Sequence, residues 1–204
     1  MAYSDFTLTD LQRKFNLENK VIDLFDKNQI QPISPSDFLK QQLQEARGLP
    51  IKSEKSRSEL LILPIILEAR RINNNFFTVY SGDILTVDRE KGLSGECDFV
   101  ITKDTDSYSI NNPIITIAEA KKQDVELGVN QCSAQLYGAY LFNQQFNSPV
   151  SKVYGCTTTG ELWKFICLEN NLLQIDRNDY YLNEVDKILG VFQVIIDYYK
   201  AILN

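Results

Sequence analysis

Residues 113–118 read Pro-Ile-Ile-Thr-Ile-Ala, a run apolar on both strand faces, which only the interior of a sheet can bury. It is followed at once by Glu119, Ala120, Lys121 and Lys122. A strand that turns charged where it leaves the core places those charges on a rigid element at a sheet end. Period-two geometry puts Glu119 and Lys121 on one face and sends Ala118 and Ala120 to the other. A second strand signal covers 97–102, and the polar loop 103–112 separates the two. An antiparallel hairpin across that loop, turning near Tyr108, predicts Asp98 opposite Glu119. Read alone, the Glu-Ala-Lys triplet also fits the start of a solvated helix; the apolar strand before it and the hairpin register argue for a site.

Clustered carboxylates need compensation. Two of them about 4 Å apart repel by several kcal/mol at an intermediate effective dielectric. A proton, the Lys121 ammonium or a divalent cation can relieve this. Lys121 alone leaves the set negative, so an Mg²⁺ or Mn²⁺ site is expected, with oxygen ligands that include the Ala120 carbonyl and water. The chain has no histidine, which removes serine–histidine and cysteine–histidine catalysis and histidine-bound zinc. No nucleotide cofactor is indicated.

The rest of the chain reads as one α/β unit of 204 residues, 44% of them hydrophobic, with a mixed central sheet flanked by helices. Residues 1–50 read as an N-terminal helical arm and 51–204 as the main domain. In the arm, Thr7 and Asp10 form a capping pair, and Ser34 is the expected N-cap of a helix that stops near Gly48. A helix is expected over 56–72, kinked or begun near Pro64. A strand broken by a turn or bulge around Gly82 is expected over 76–88, and a helix over 128–144. Strands at 151–157, 162–168 and 172–176 and a long helix over 184–203 complete the pattern. Ile188, Phe192, Ile195, Ile196 and Tyr199 give that last helix a broad apolar face, suited to core docking and open to a homodimer contact. Trp163 and Phe165 are assigned to the core. The four cysteines show no CxxC spacing and read as buried thiols. The acidic N-terminus and the absence of a long apolar run indicate a cytoplasmic protein without membrane attachment. Twenty-one Lys and Arg stand against 27 Asp and Glu, a net charge of -6, so any nucleic-acid surface must come from local basic residues.

The combination of Gly95–Val100 (GECDFV), Ile117–Lys122 (IAEAKK) and a preceding helix with Ser56–Glu59 resembles the PD-(D/E)XK nuclease superfamily over 59 to about 140. The resemblance implies a restriction-endonuclease-like αβββαβ core, one or two Mg²⁺ (or Mn²⁺) ions, and Mg²⁺-dependent hydrolysis of DNA leaving a 5′-phosphate. By position it implies Asp98, Glu119 and Lys121 as catalytic residues. It implies a metal shell of Glu59, Asp98, Glu119 and Ala120, and substrate contacts from Gln131 or Gln135. Two departures stand out: Cys97 occupies the place of the motif proline, and Gln135 replaces the tyrosine of the QxxxY helix found in some members. Ser56-x-x-Glu59 also reads as a capping box. A nuclease-like fold that has lost cleavage and serves as a nucleic-acid- or protein-binding module is the alternative.

Overall fold

The computed structural model describes residues 2–26, 28–103 and 107–203. In chain order the elements are α1 (Leu8–Phe15), β1 (Glu18–Ile22), α2 (Asp37–Ala46), α3 (Glu54–Arg57), a π-helical turn (Ser58–Ile62), α4 (Leu63–Ile72), β2 (Thr78–Asp88), β3 (Leu93–Thr102), β4 (Ile114–Ala120), α5 (Val125–Gln145), β5 (Lys152–Thr158), β6 (Leu162–Glu169), β7 (Leu172–Asp176), β8 (Tyr180–Tyr181) and α6 (Val185–Leu203). The fold is α/β with an open, mixed eight-stranded sheet in the order β1-β7-β6-β5-β4-β3-β2, β8 pairing with β6. β4 and β5 run parallel and are joined by α5; the contacts from β2 to β4 and from β5 to β7 are antiparallel.

β4 is buried at all seven positions, as a central strand must be. On one face of the sheet α5 lies over β4 and β5, close enough that a Cβ on Gly155 would stand 3.0 Å from both Cys132 Sγ and Leu136. On the other face, Phe192 and Tyr199 of α6 pack edge-on against Trp163, Phe165 and Tyr154. The Tyr199 hydroxyl sits between the two central strands, against the Ile115 and Lys152 carbonyls, and accepts from the Tyr154 N–H. The apolar face of α6 is therefore buried against the sheet. The four cysteines are free and buried.

Several local expectations need correction. Residues 1–50 are not purely helical: Glu18–Ile22 pairs in parallel with β7 and forms the sheet edge. The N-cap of α2 is Ser36, whose hydroxyl accepts from Leu39 N–H, not Ser34. Ser36 N–H and Oγ also bind the buried Glu68 carboxylate, which Arg71 neutralises, so a tertiary ion pair selects between the two candidate serines. The capping box at the next helix is Ser53 with Ser56, not Ser56 with Glu59. That helix is continuous from 54 to 72, and the π turn at 58–62 lies just ahead of Pro64. A wider turn there relieves the clash between a proline ring and the carbonyl one turn back. Gly82 has φ +72 within β2, a conformation that favours glycine, yet the pairing register continues unshifted on both sides; the irregularity comes later, between Thr86 and Asp88. Of the loop expected over 103–112, residues 104–106 lie outside the described set. Tyr3, Phe6, Leu11 and Leu17 are buried in the common core.

Candidate functional site

β3 and β4 pair with Phe99 against Ala118 and Val100 against Ile117. The paired ladder ends there; carried one step further, the same register sets Asp98 opposite Glu119, after a shift between Ile101 and Thr102. β5 continues the row with Thr157 beside Glu119, and β2 places Gly82 beside Asp98. Five hydrogen bonds hold the cluster together. Asp98 Oδ2 accepts from the Ala120 N–H at 2.8 Å. Lys121 Nζ donates to Glu119 Oε1 at 2.7 Å and to Gln131 Oε1 at 3.1 Å. Gln135 Nε2 donates to Glu119 Oε2 at 2.8 Å and more weakly to the Glu96 carbonyl at 3.4 Å. The two glutamines stand four residues apart on α5 and so share its sheet-facing side.

Glu119 is 2% exposed. Burial, and then the charge of Asp98, pushes its carboxyl up to about 7, against the opposing pull of Lys121 and Gln135. Asp98 is also raised, chiefly by burial and slightly by Glu54, while the Ala120 N–H, Lys121 and a hydrogen bond with Glu119 pull it back. Burial alone would lower the Lys121 ammonium. The Glu119 contact, with Glu54 and Asp98 beyond it, outweighs burial and holds it above the ordinary lysine value. Lys121 is thus a fixed cation at neutral pH, and not a general base.

The surroundings leave buried polar atoms open. Gln135 Oε1 and Thr157 Oγ1 are buried without a hydrogen-bond partner among the described residues. Such atoms cost about 1–3 kcal/mol each unless water or a ligand reaches them. Two raised carboxylates with unpaired oxygens nearby suit a hard divalent cation, which needs only one or two carboxylates plus water. No group of three or more His, Cys, Asp or Glu side chains that could hold a metal occurs among the described residues.

Asp98, Glu119, Lys121, Gln131 and Gln135 are therefore brought together. Ala120 contributes its N–H to Asp98. Glu59 is not brought in; it is exposed and lies 3.9 Å from Lys55, one helical turn back. Glu54 approaches instead: its Oε1 accepts from the Lys122 N–H at 3.2 Å, and its charge is felt by Asp98 and Lys121. Sequence reading missed it because the helix start lies earlier than expected; the Ser53/Ser56 pair was the available signal. Glu96 is exposed and Asp83 points away along β2, opposite Cys97.

Gly128 was also missed. A Cβ there would stand 1.9 Å from Thr157 Oγ1 and 2.9 Å from Lys121 Cγ, so only glycine lets the first turns of α5 close over the lysine. Gly128→Ala should lower stability by about 1–3 kcal/mol through overpacking, read as a lowered midpoint in urea with an unchanged slope. A wild-type midpoint would refute the close approach of α5.

No family model matches the chain, and no curated protein or solved structure matches it. No helix among the described residues is long and apolar enough to cross a membrane.

Proposed function

We propose that the chain is a Mg²⁺- or Mn²⁺-dependent nuclease hydrolysing phosphodiester bonds of DNA, built on a restriction-endonuclease-like core. The observation that carries this reading is the convergence of Asp98, Glu119 and Lys121 at the end of a β hairpin, with Gln131 and Gln135 over them. The succession of a helix, the β2–β3–β4 meander, α5 and β5 supports the αβββαβ assignment, since it is the order the resemblance implies.

Asp98 and Glu119 would hold the cation, with the Ala120 carbonyl as the further ligand. A bound divalent cation supplies Lewis acidity at the phosphate and acidifies a coordinated water. The chain's own groups do the rest. The Ala120 N–H fixes the Asp98 carboxylate, and Gln135 fixes Glu119, so neither need reorganise on binding. Lys121 presents a permanent positive charge where negative charge grows on the phosphate oxygens. Gln131 orients the Lys121 ammonium and is placed for the substrate backbone. A bound cation would favour the ionised form of Glu119 against the burial that favours its proton.

Supercoiled plasmid incubated with Mn²⁺ should be nicked by the wild type and left intact by Asp98→Asn, with EDTA abolishing the wild-type nicking. Equal nicking by the variant would exclude these roles. A second reading, a non-cleaving binding module, is favoured by one observation: Lys121 already pairs with Glu119, so the site reaches partial neutrality without metal. Calorimetric titration of Mn²⁺ separates the two, because a scaffold of that kind would take up none.

A further inference from the structure

The chain is acidic as a whole, yet beside the carboxylate pair lies a cleft of about 280 Å³ lined by Ile51, Lys52, Arg57, Lys122 and Gln123, three of them cationic and none acidic. Its position follows from two contacts. The Lys122 N–H donates to Glu54 Oε1, fastening the start of α3 to the end of β4. Arg57 Nη1 donates to the Thr159 carbonyl at 2.8 Å, fastening the same helix to the end of β5. Lys122 is three residues beyond Glu119, so at most about 10 Å of backbone separates the cleft from the pair.

Two of the three cations differ from their neighbours. Lys55 and Lys121, like Arg57, are each engaged by a glutamate. Lys52 and Lys122 are exposed and make no ion pair among the described residues. Arg57 is largely covered, 3.7 Å from Glu161, and its Nε is buried with no hydrogen-bond partner among the described residues. Held by the Thr159 carbonyl and Glu161, the guanidinium is a fixed positive charge at the cleft wall.

We infer that this cleft binds a second phosphate of the substrate strand, adjacent to the one at Asp98 and Glu119, with Lys52 and Lys122 as its mobile charges and Arg57 as its fixed one. The inference rests on the nuclease reading and specifies it. It makes the contact a backbone contact, blind to base sequence, and it assigns DNA affinity to a few local cations in a chain whose total charge opposes binding.

The test is fluorescence anisotropy of a labelled single-stranded oligonucleotide with Mg²⁺ present and Asp98→Asn as background, titrated between about 50 and 200 mM NaCl. Lys52→Ala/Lys122→Ala should weaken binding and make the slope of log affinity against log salt shallower by about 1.4, two contacts at roughly 0.7 each for a single strand. Lys20→Ala/Lys187→Ala removes the same charge from distant exposed sites and should leave the slope unchanged. Equal slopes for the two double variants, with the wild type still nicking plasmid, would overturn the cleft while sparing the nuclease reading. A cleft-dependent slope with no nicking would uphold the cleft and remove the hydrolytic role. No binding by any form, together with no nicking by the wild type, would overturn both.

Discussion

Lys121→Ala should reduce Mn²⁺-dependent plasmid nicking by at least about 10²-fold, the usual loss when one preorganised donor to a developing oxyanion is removed. A simple failure to fold would give the same result, so the pH of the stability control matters. Removing one partner of a buried ion pair costs about 3–5 kcal/mol when the other charge stays behind. Glu119, however, has its carboxyl at about 7 even with the lysine in place. Without Lys121 it moves higher and holds its proton at pH 6, leaving a neutral, hydrogen-bonded group. At pH 6 the variant should therefore lie within about 1 kcal/mol of the wild type, while its nicking at pH 8 stays depressed. Thermal melts at pH 6 and plasmid nicking at pH 8 check the two halves. Undiminished nicking would remove Lys121 from the chemistry.

The metal-free protein should lose stability as pH rises from about 5 to 8. Unfolded, Glu119 titrates near the ordinary glutamate value; folded, it titrates near 7. Between those values the native state binds the extra proton, so stability is greatest below the unfolded pKa and declines until the folded pKa is passed. A shift from 4.5 to about 7 corresponds to about 3 kcal/mol across the full range, or roughly 6–12 °C in Tm for a chain of this length. The window is unusually clean because no histidine titrates in it. Asp98, raised in the same direction, adds to the decline. Glu119→Gln should flatten most of the profile, and Mn²⁺ at pH 8 should recover stability in the wild type but not in that variant. Melting curves across pH with EDTA, then with Mn²⁺, provide the measurement; a flat wild-type curve would mean that the carboxylate is ionised in the fold at no cost.

The centre of the site was legible because strand parity is countable. The expected pairing of Asp98 with Glu119 matches the register of the Phe99–Ala118 pair, although a shift between Ile101 and Thr102, which no count of loop residues foresees, brings it about; the apolar run 113–118 marked a fully buried strand. Features set by tertiary contact were not legible. β1, Glu-Asn-Lys-Val-Ile, is an edge strand exposed at four of its five positions, so no alternation of buried and polar residues announces it. Ser36 prevails over Ser34 because Glu68, thirty-two residues away, reaches its N–H and hydroxyl. Glu54 displaces Glu59 near the carboxylates because the helix starts at Ser53, earlier than its apolar spacing suggests. The need for glycine at 128 depends on Thr157 and Lys121, which no local pattern links to it.

The wide turn at Ser58–Ile62 has a consequence for how this end of the molecule can change over time. Each helical residue rotates the chain by about 100°, so the surplus residue sets the azimuth of α3, just before it, relative to the buried apolar side chains after Pro64. Loss of one residue there would restore regular winding and swing Glu54 and Arg57 off the ends of β4 and β5, with the core left in place. The equipment around the carboxylates is in that sense indexed separately from the scaffold, and a single-codon deletion is enough to disengage it.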